Sequence, residues 1–150
     1  MTASADTREV LDQVGAQRAA GFKPVDPRRE YDGRVTDFVD DPRELNAEWW
    51  VVTPPISWFK IDHKMLDTMY AEYVREEPER MIEIRDWLDS HGDDTEALYS
   101  SPLIALTDKH GGRELVDGYH RLALWIRRNG REQGPPTLVG FIRDGKLCRE

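Results

Sequence analysis

Five consecutive residues, Asp117-Gly118-Tyr119-His120-Arg121, bring a carboxylate, an imidazole and a guanidinium into one short stretch of chain. Asp117-Gly118 is turn chemistry, because glycine tolerates positive φ and aspartate bonds nearby backbone N–H groups. Tyr119, Leu122, Ala123 and Ile126 then recur at helical spacing, which puts His120 and Arg121 in the first turn of a helix. The N–H groups of a first turn lack intrahelical acceptors, and the helix dipole is positive there. An arginine and a histidine at such a place suit a phosphate or another small anion. The same residue types also fit a plainer reading, in which Asp117 caps the helix and Arg121 is a solvated charge.

The surrounding elements give the motif its setting. Ser101–Leu106 and Arg113–Val116 form a predicted hairpin around Lys109-His110-Gly111-Gly112. The motif helix spans Tyr119–Asn129 and stops at Gly130, and Thr137–Ile142 is a strand expected to close the sheet.

This strand, D-G-x-H-R segment, helix and final strand resemble the ParB/sulfiredoxin superfamily, over about residues 101–143 and less distinctly from Trp49 onward. The resemblance implies a small mixed β-sheet flanked by helices, an α+β fold, in a domain covering 46–150, with 1–45 as a helical and irregular extension. It also implies a nucleotide-phosphate site at Gly118, Tyr119, His120 and Arg121. Backbone N–H groups of Gly118 and Tyr119 would cradle a phosphate, Arg121 would neutralise it, and His120 would donate a hydrogen bond. Asp117 and His120 are the implied catalytic pair, with Asp117 either assisting a metal on the phosphates or capping the helix. The implied cofactor is a nucleoside triphosphate, ATP or CTP, with Mg²⁺; phosphoryl transfer rests largely on positioning and charge stabilisation.

The chain departs from particular members of the superfamily. Sulfiredoxins carry their attacking cysteine immediately before the motif histidine, where this chain has Tyr119, and its single thiol is Cys148. Partition proteins continue into a helix-turn-helix region and a dimerisation tail, whereas this sequence runs about thirty residues past Arg121. Free-serine kinases of this kind take a carboxylate base from an earlier element, and Glu48, Asp62 and Glu96 are the candidates here. A nuclease reading has no carboxylate cluster to carry it.

Two functions remain open at this level. One is a nucleotide-dependent phosphotransferase or NTP hydrolase acting at Asp117–Arg121. The other is a non-catalytic module that binds nucleotide or another small anion and signals to a protein partner. In that reading Trp49-Trp50 and Trp58-Phe59 offer a contact surface, although aromatic pairs of this kind more often pack in a core.

The 150 residues suit one domain with a sizeable core, and 39% hydrophobic with 33% charged residues is a polar but globular composition. A net charge of −8 without a long Lys/Arg run argues against a duplex-DNA footprint. Basic residues gather modestly near the motif: Arg113, His120, Arg121, Arg127 and Arg128. One cysteine excludes an intrachain disulfide and a cysteine metal cage, and the four histidines have no metal-ligand spacing. No apolar run approaches a membrane span and the N-terminus is not a secretory signal, so the default expectation is a cytoplasmic protein.

Elsewhere the pattern predicts a helix from Asp6 to Ala20 with only a thin apolar stripe, loosely packed or facing a partner, and then an extended or irregular Lys23–Arg29. Gly33–Val39 reads as an edge strand, Asp41–Leu45 as a helical turn, Trp49–Thr53 as a strand and Ile56–Ile61 as a second extended piece. Asp62 is placed to cap a helix whose inner face is Met65, Leu66, Met69, Tyr70 and Tyr73. Glu77-Pro78 opens another, with Met81, Ile84, Trp87 and Leu88 inward, followed by a polar loop over 93–100.

Overall fold

The computed structural model describes residues 5–31 and 47–143. The expected strand at Gly33–Val39, the turn at Asp41–Leu45 and Cys148 lie outside them. Among the described residues the chain is an α+β fold around a four-stranded mixed sheet. In chain order the elements are α1 (Ala5–Ala19), α2 (Pro27–Glu30), β1 (Ala47–Val52), a 3₁₀ turn (Ile56–Phe59), α3 (His63–Glu76), α4 (Pro78–His91), α5 (Thr95–Ser100), β2 (Leu103–Asp108), β3 (Arg113–Asp117), α6 (Tyr119–Asn129) and β4 (Thr137–Ile142).

The strand order is β1-β4-β2-β3. β1 runs antiparallel to β4, β2 parallel to β4, and β2 antiparallel to β3. β4 is therefore an inner strand and not the closing one. Its nearly continuous apolar run suits burial on both faces, and β2, inner as well, is buried along its whole length.

Alternation along the strands divides the core. Trp50, Val52, Leu103, Ala105 and Val139 face the helices, where Val10, Val14, Leu66, Leu88, Leu122 and Trp125 meet them. Trp49, Ile104, Leu106, Leu138 and Ile142 form the opposite face, with Val25 and Tyr31 against it.

Several expectations change. α1 packs on its own sheet: Val10 and Val14 are buried, and Gln13 and Gln17 donate from Nε2 to the carbonyls of Thr53 and Val51, each at 2.9 Å. Two valines and two glutamines dock the helix, so the thin stripe is enough to hold it on the sheet. Within the stretch expected to be irregular, Asp26 and Pro27 start the single turn α2, Asp26 accepting from the Arg28 N–H.

Ile56–Ile61 is not a strand. Pro54 and Pro55 remove two ladder donors, and the chain coils into a 3₁₀ turn that ends at Lys60 in the left-handed region, φ 57°. The segment 93–100 is not a loop throughout, because Asp94 accepts from the Ala97 N–H at 3.2 Å and starts α5. Asp62 does cap α3, accepting from the Met65 N–H at 2.8 Å. The inner face of α3 is thinner than its pattern, however: Leu66 is buried, while Met65 is half exposed.

Trp49, Trp50 and Trp58 are at most 2% exposed and Phe59 is 8% exposed. The aromatic contact surface is therefore overturned, and these rings are core. No helix among the described residues is long and apolar enough to cross a membrane.

Candidate functional site

The hairpin, α4 and α6 build the site. β3 ends at Asp117, Gly118 turns the chain with φ 114°, and α6 begins at Tyr119. Glycine is required twice over at 118, since the backbone is in the left-handed region and any Cβ would collide with Leu103 Cδ2. The residue at the helix cap is thus Gly118, not Asp117, and it has no side chain to accept a capping bond.

A cleft of about 170 Å³ opens in front of this turn. Asp117, Gly118, His120 and Arg121 line it from the motif, Ser101 from the segment before β2, and Arg80 and Ile84 from α4. Tyr119 does not line it and is 36% exposed. Four of the five motif residues thus line one cleft.

Arg121 is held firmly. Nη1 donates to the Ser101 carbonyl, Nη2 donates to Ser101 Oγ at 2.9 Å, and the guanidinium carbon lies 5.0 Å from the centre of the Trp87 ring. A guanidinium presents its donors in a fixed planar fork, and the two bonds to Ser101 orient that fork. His120 is held from two sides. Its Nε2 lies 2.8 Å from Glu77 Oε2, and its ring stacks on Tyr73 with centroids 4.0 Å apart. Burial comes first in pushing the Tyr73 hydroxyl above its ordinary pKa, and the nearby Tyr119, Glu77 and Glu72 add to it.

The wider basic cluster does not assemble. Arg113 is buried, donating to the Trp58 carbonyl and to Thr7 Oγ1. Arg127 lies 3.6 Å over the Tyr70 ring and pairs with Asp67. Arg128 pairs with Asp89 and Asp93. Arg127 and Arg128 fasten α6 to α3 and α4, and Arg113 ties β3 to the 3₁₀ turn and α1, rather than serve the cleft. Arg80 takes their place, unforeseen from sequence. Its signal was available, because it stands four residues before Ile84 and seven before Trp87 on one face of α4.

None of the three carboxylates weighed as a base lines the cleft. Glu48 sits on β1, at the opposite sheet edge from β3. Its carboxylate takes the Trp50 indole N–H at 2.5 Å and pairs with Arg18 and Arg143. Burial alone would raise its pKa, but those donors and the Arg18 charge outweigh burial and hold it below the ordinary carboxylate value. Asp62 caps α3, and Glu96 lies in the first turn of α5. A roomier cavity, about 220 Å³, lies beside Glu48 and is lined largely by Pro24, Val25, Pro27, Ala47 and Trp49. Its polar lining is Asp26, Arg28, Glu48 and Arg143, of which Glu48 and Arg143 pair with each other. Among the described residues no group of three His, Cys, Asp or Glu side chains is placed to hold a metal by itself.

The chain matches no family model, no curated protein and no solved structure.

Proposed function

We propose that this is a nucleotide-binding protein of the ParB/sulfiredoxin type, a phosphotransferase or NTP hydrolase that works at the Asp117–Arg121 turn. The supporting observation is the cleft itself, where Arg80, His120 and Arg121 converge on the start of α6. Two guanidinium groups and a helix N-terminus are complementary to a phosphate chain, and His120 stands beside them. The volume is below the usual range for a whole small-molecule pocket, so the cleft takes the phosphates and the nucleoside lies outside it.

The donor set fits a nucleotide carrying Mg²⁺. Among the described residues Asp117 is the one carboxylate on the cleft wall, and Mg²⁺ is commonly held by one or two carboxylates together with substrate phosphates. Bound there, the ion would offset the charge that develops on the transferring phosphoryl group.

The test is a thermal-shift and calorimetric titration with ATP and CTP, with and without Mg²⁺, followed by release of a labelled terminal phosphate. Wild-type protein is expected to be stabilised by one of the nucleotides and to release phosphate, and Arg80→Ala is expected to bind more weakly. No stabilisation at millimolar nucleotide would reject the proposal. Binding without phosphate release would favour the second reading, a non-catalytic anion-binding module.

A further inference from the structure

The proposed reaction needs a base, and Glu48, Asp62 and Glu96 are not at the cleft. His120 is. We infer that His120 is the proton acceptor of this site and that Glu77 is the positioning residue that makes it one. The inference rests on the phosphate-site reading above.

Glu77 lies between α3 and α4, as the last cap of one helix and the first of the next, with φ −134° and ψ 55°. Its Oε2 is 2.8 Å from His120 Nε2. An ionised carboxylate only accepts hydrogen bonds. In the neutral imidazole the proton must therefore sit on Nε2, and Nδ1 keeps its lone pair. His120 lines the cleft and Glu77 does not, so Nδ1 is the ring nitrogen left to serve a ligand. Tyr73 stacks on the ring at 4.0 Å with 27° between planes and restricts its rotation. Carboxylate, imidazole and reacting group in series are how a histidine base is oriented and its cationic form stabilised.

The step balances. Water, or an acceptor hydroxyl, gives its proton to Nδ1 as its oxygen bonds to the terminal phosphorus. The bond from that phosphorus to the bridging oxygen breaks, and the nucleoside diphosphate leaves with the electron pair. The Glu77 carboxylate balances the charge of the imidazolium through the Nε2–H bond, and the ring then returns the Nδ1 proton to the departing products or to solvent.

Glu77→Gln separates this role from a merely structural one. Glutamine keeps the shape of the joint between α3 and α4, but its amide either accepts or donates and no longer imposes a tautomer. The variant is expected to bind nucleotide within about twofold of wild type and to release phosphate about 10–100 times more slowly. Nitrogen-15 spectra of neutral His120 should show the proton on Nε2 in wild type and a mixture of tautomers in Glu77→Gln. Wild-type turnover in Glu77→Gln, or an Nδ1-protonated neutral ring in the wild type, would overturn the inference. A wild-type protein that binds no nucleotide would instead bring down the phosphate-site reading, and the base role with it, while the spectra alone still decide whether Glu77 sets the tautomer.

Discussion

Trp49 and Gly140 face one another across β1 and β4, and the indole lies over the space where a side chain at 140 would stand. A Cβ there would come within 2.8–2.9 Å of three ring carbons. Gly140→Ala is expected to destabilise the protein by about 1–3 kcal/mol, the usual range for overpacking, measured by urea denaturation. In a Trp49→Phe background the same change should cost less, since residues in contact are not additive. Equal costs in the two backgrounds would show that the ring does not set the penalty.

Gly118 is the more exacting glycine. With φ 114° and Leu103 against its missing Cβ, Gly118→Ala combines backbone strain with a core clash. About 2–4 kcal/mol of stability should be lost, and nucleotide affinity should fall in whatever fraction remains folded. A near-neutral denaturation midpoint would mean that the turn relaxes easily.

Arg121→Ala removes a guanidinium that both lines the cleft and bonds Ser101. Its loss should weaken nucleotide binding by about 1.5–3 kcal/mol, the worth of a charged hydrogen bond, and should also lower the melting temperature. Arg80 is exposed on α4, so Arg80→Ala should weaken binding with little effect on melting. Calorimetry on the two variants side by side separates the ligand role from the structural one.

Glu48 makes a pH-dependent contribution. Its pKa is lower in the folded chain than its ordinary value of 4.5. The stabilisation is therefore fully present above that value and is lost as pH falls through the lower folded pKa. Wild-type stability should decline below about pH 4.5 more steeply than that of Glu48→Gln. Parallel acid-unfolding curves would show that the Arg18 and Arg143 pairs contribute nothing.

Asp94→Ala removes the cap of the six-residue helix α5, which delivers Ser101 to Arg121. About 1 kcal/mol is expected from the lost cap. Faster amide exchange at Ser101 and Leu98 would show that the damage stays local.

Much of this architecture was legible in the chain. The bounds of α6 and β4, the caps at Asp62 and Gly92, the Glu77-Pro78 joint and the β2–β3 hairpin all follow from periodicity and turn chemistry within about ten residues. The misreadings arose where local patterns are ambiguous. Ile56–Ile61 carries strand-like aromatic residues behind two prolines, and α5 is too short to show a helical period.

Residue order by itself determined that a carboxylate, a flexible turn, an imidazole and a guanidinium would meet at the head of a helix, because those positions are adjacent in the chain. Tertiary structure decided which other groups meet them. Arg80 stands 41 positions before Arg121, Glu77 stands 43 before His120, and Ser101 stands 20 before Arg121. Packing α4 against α6 and running β2 beside β3 closes those separations. Arg127 and Arg128 answer to the same packing: once α6 lies against α3 and α4, their partners are Asp67, Asp89 and Asp93. Nearness along the chain fixes what a single turn presents, whereas the partners of each charge depend on which helix faces lie together.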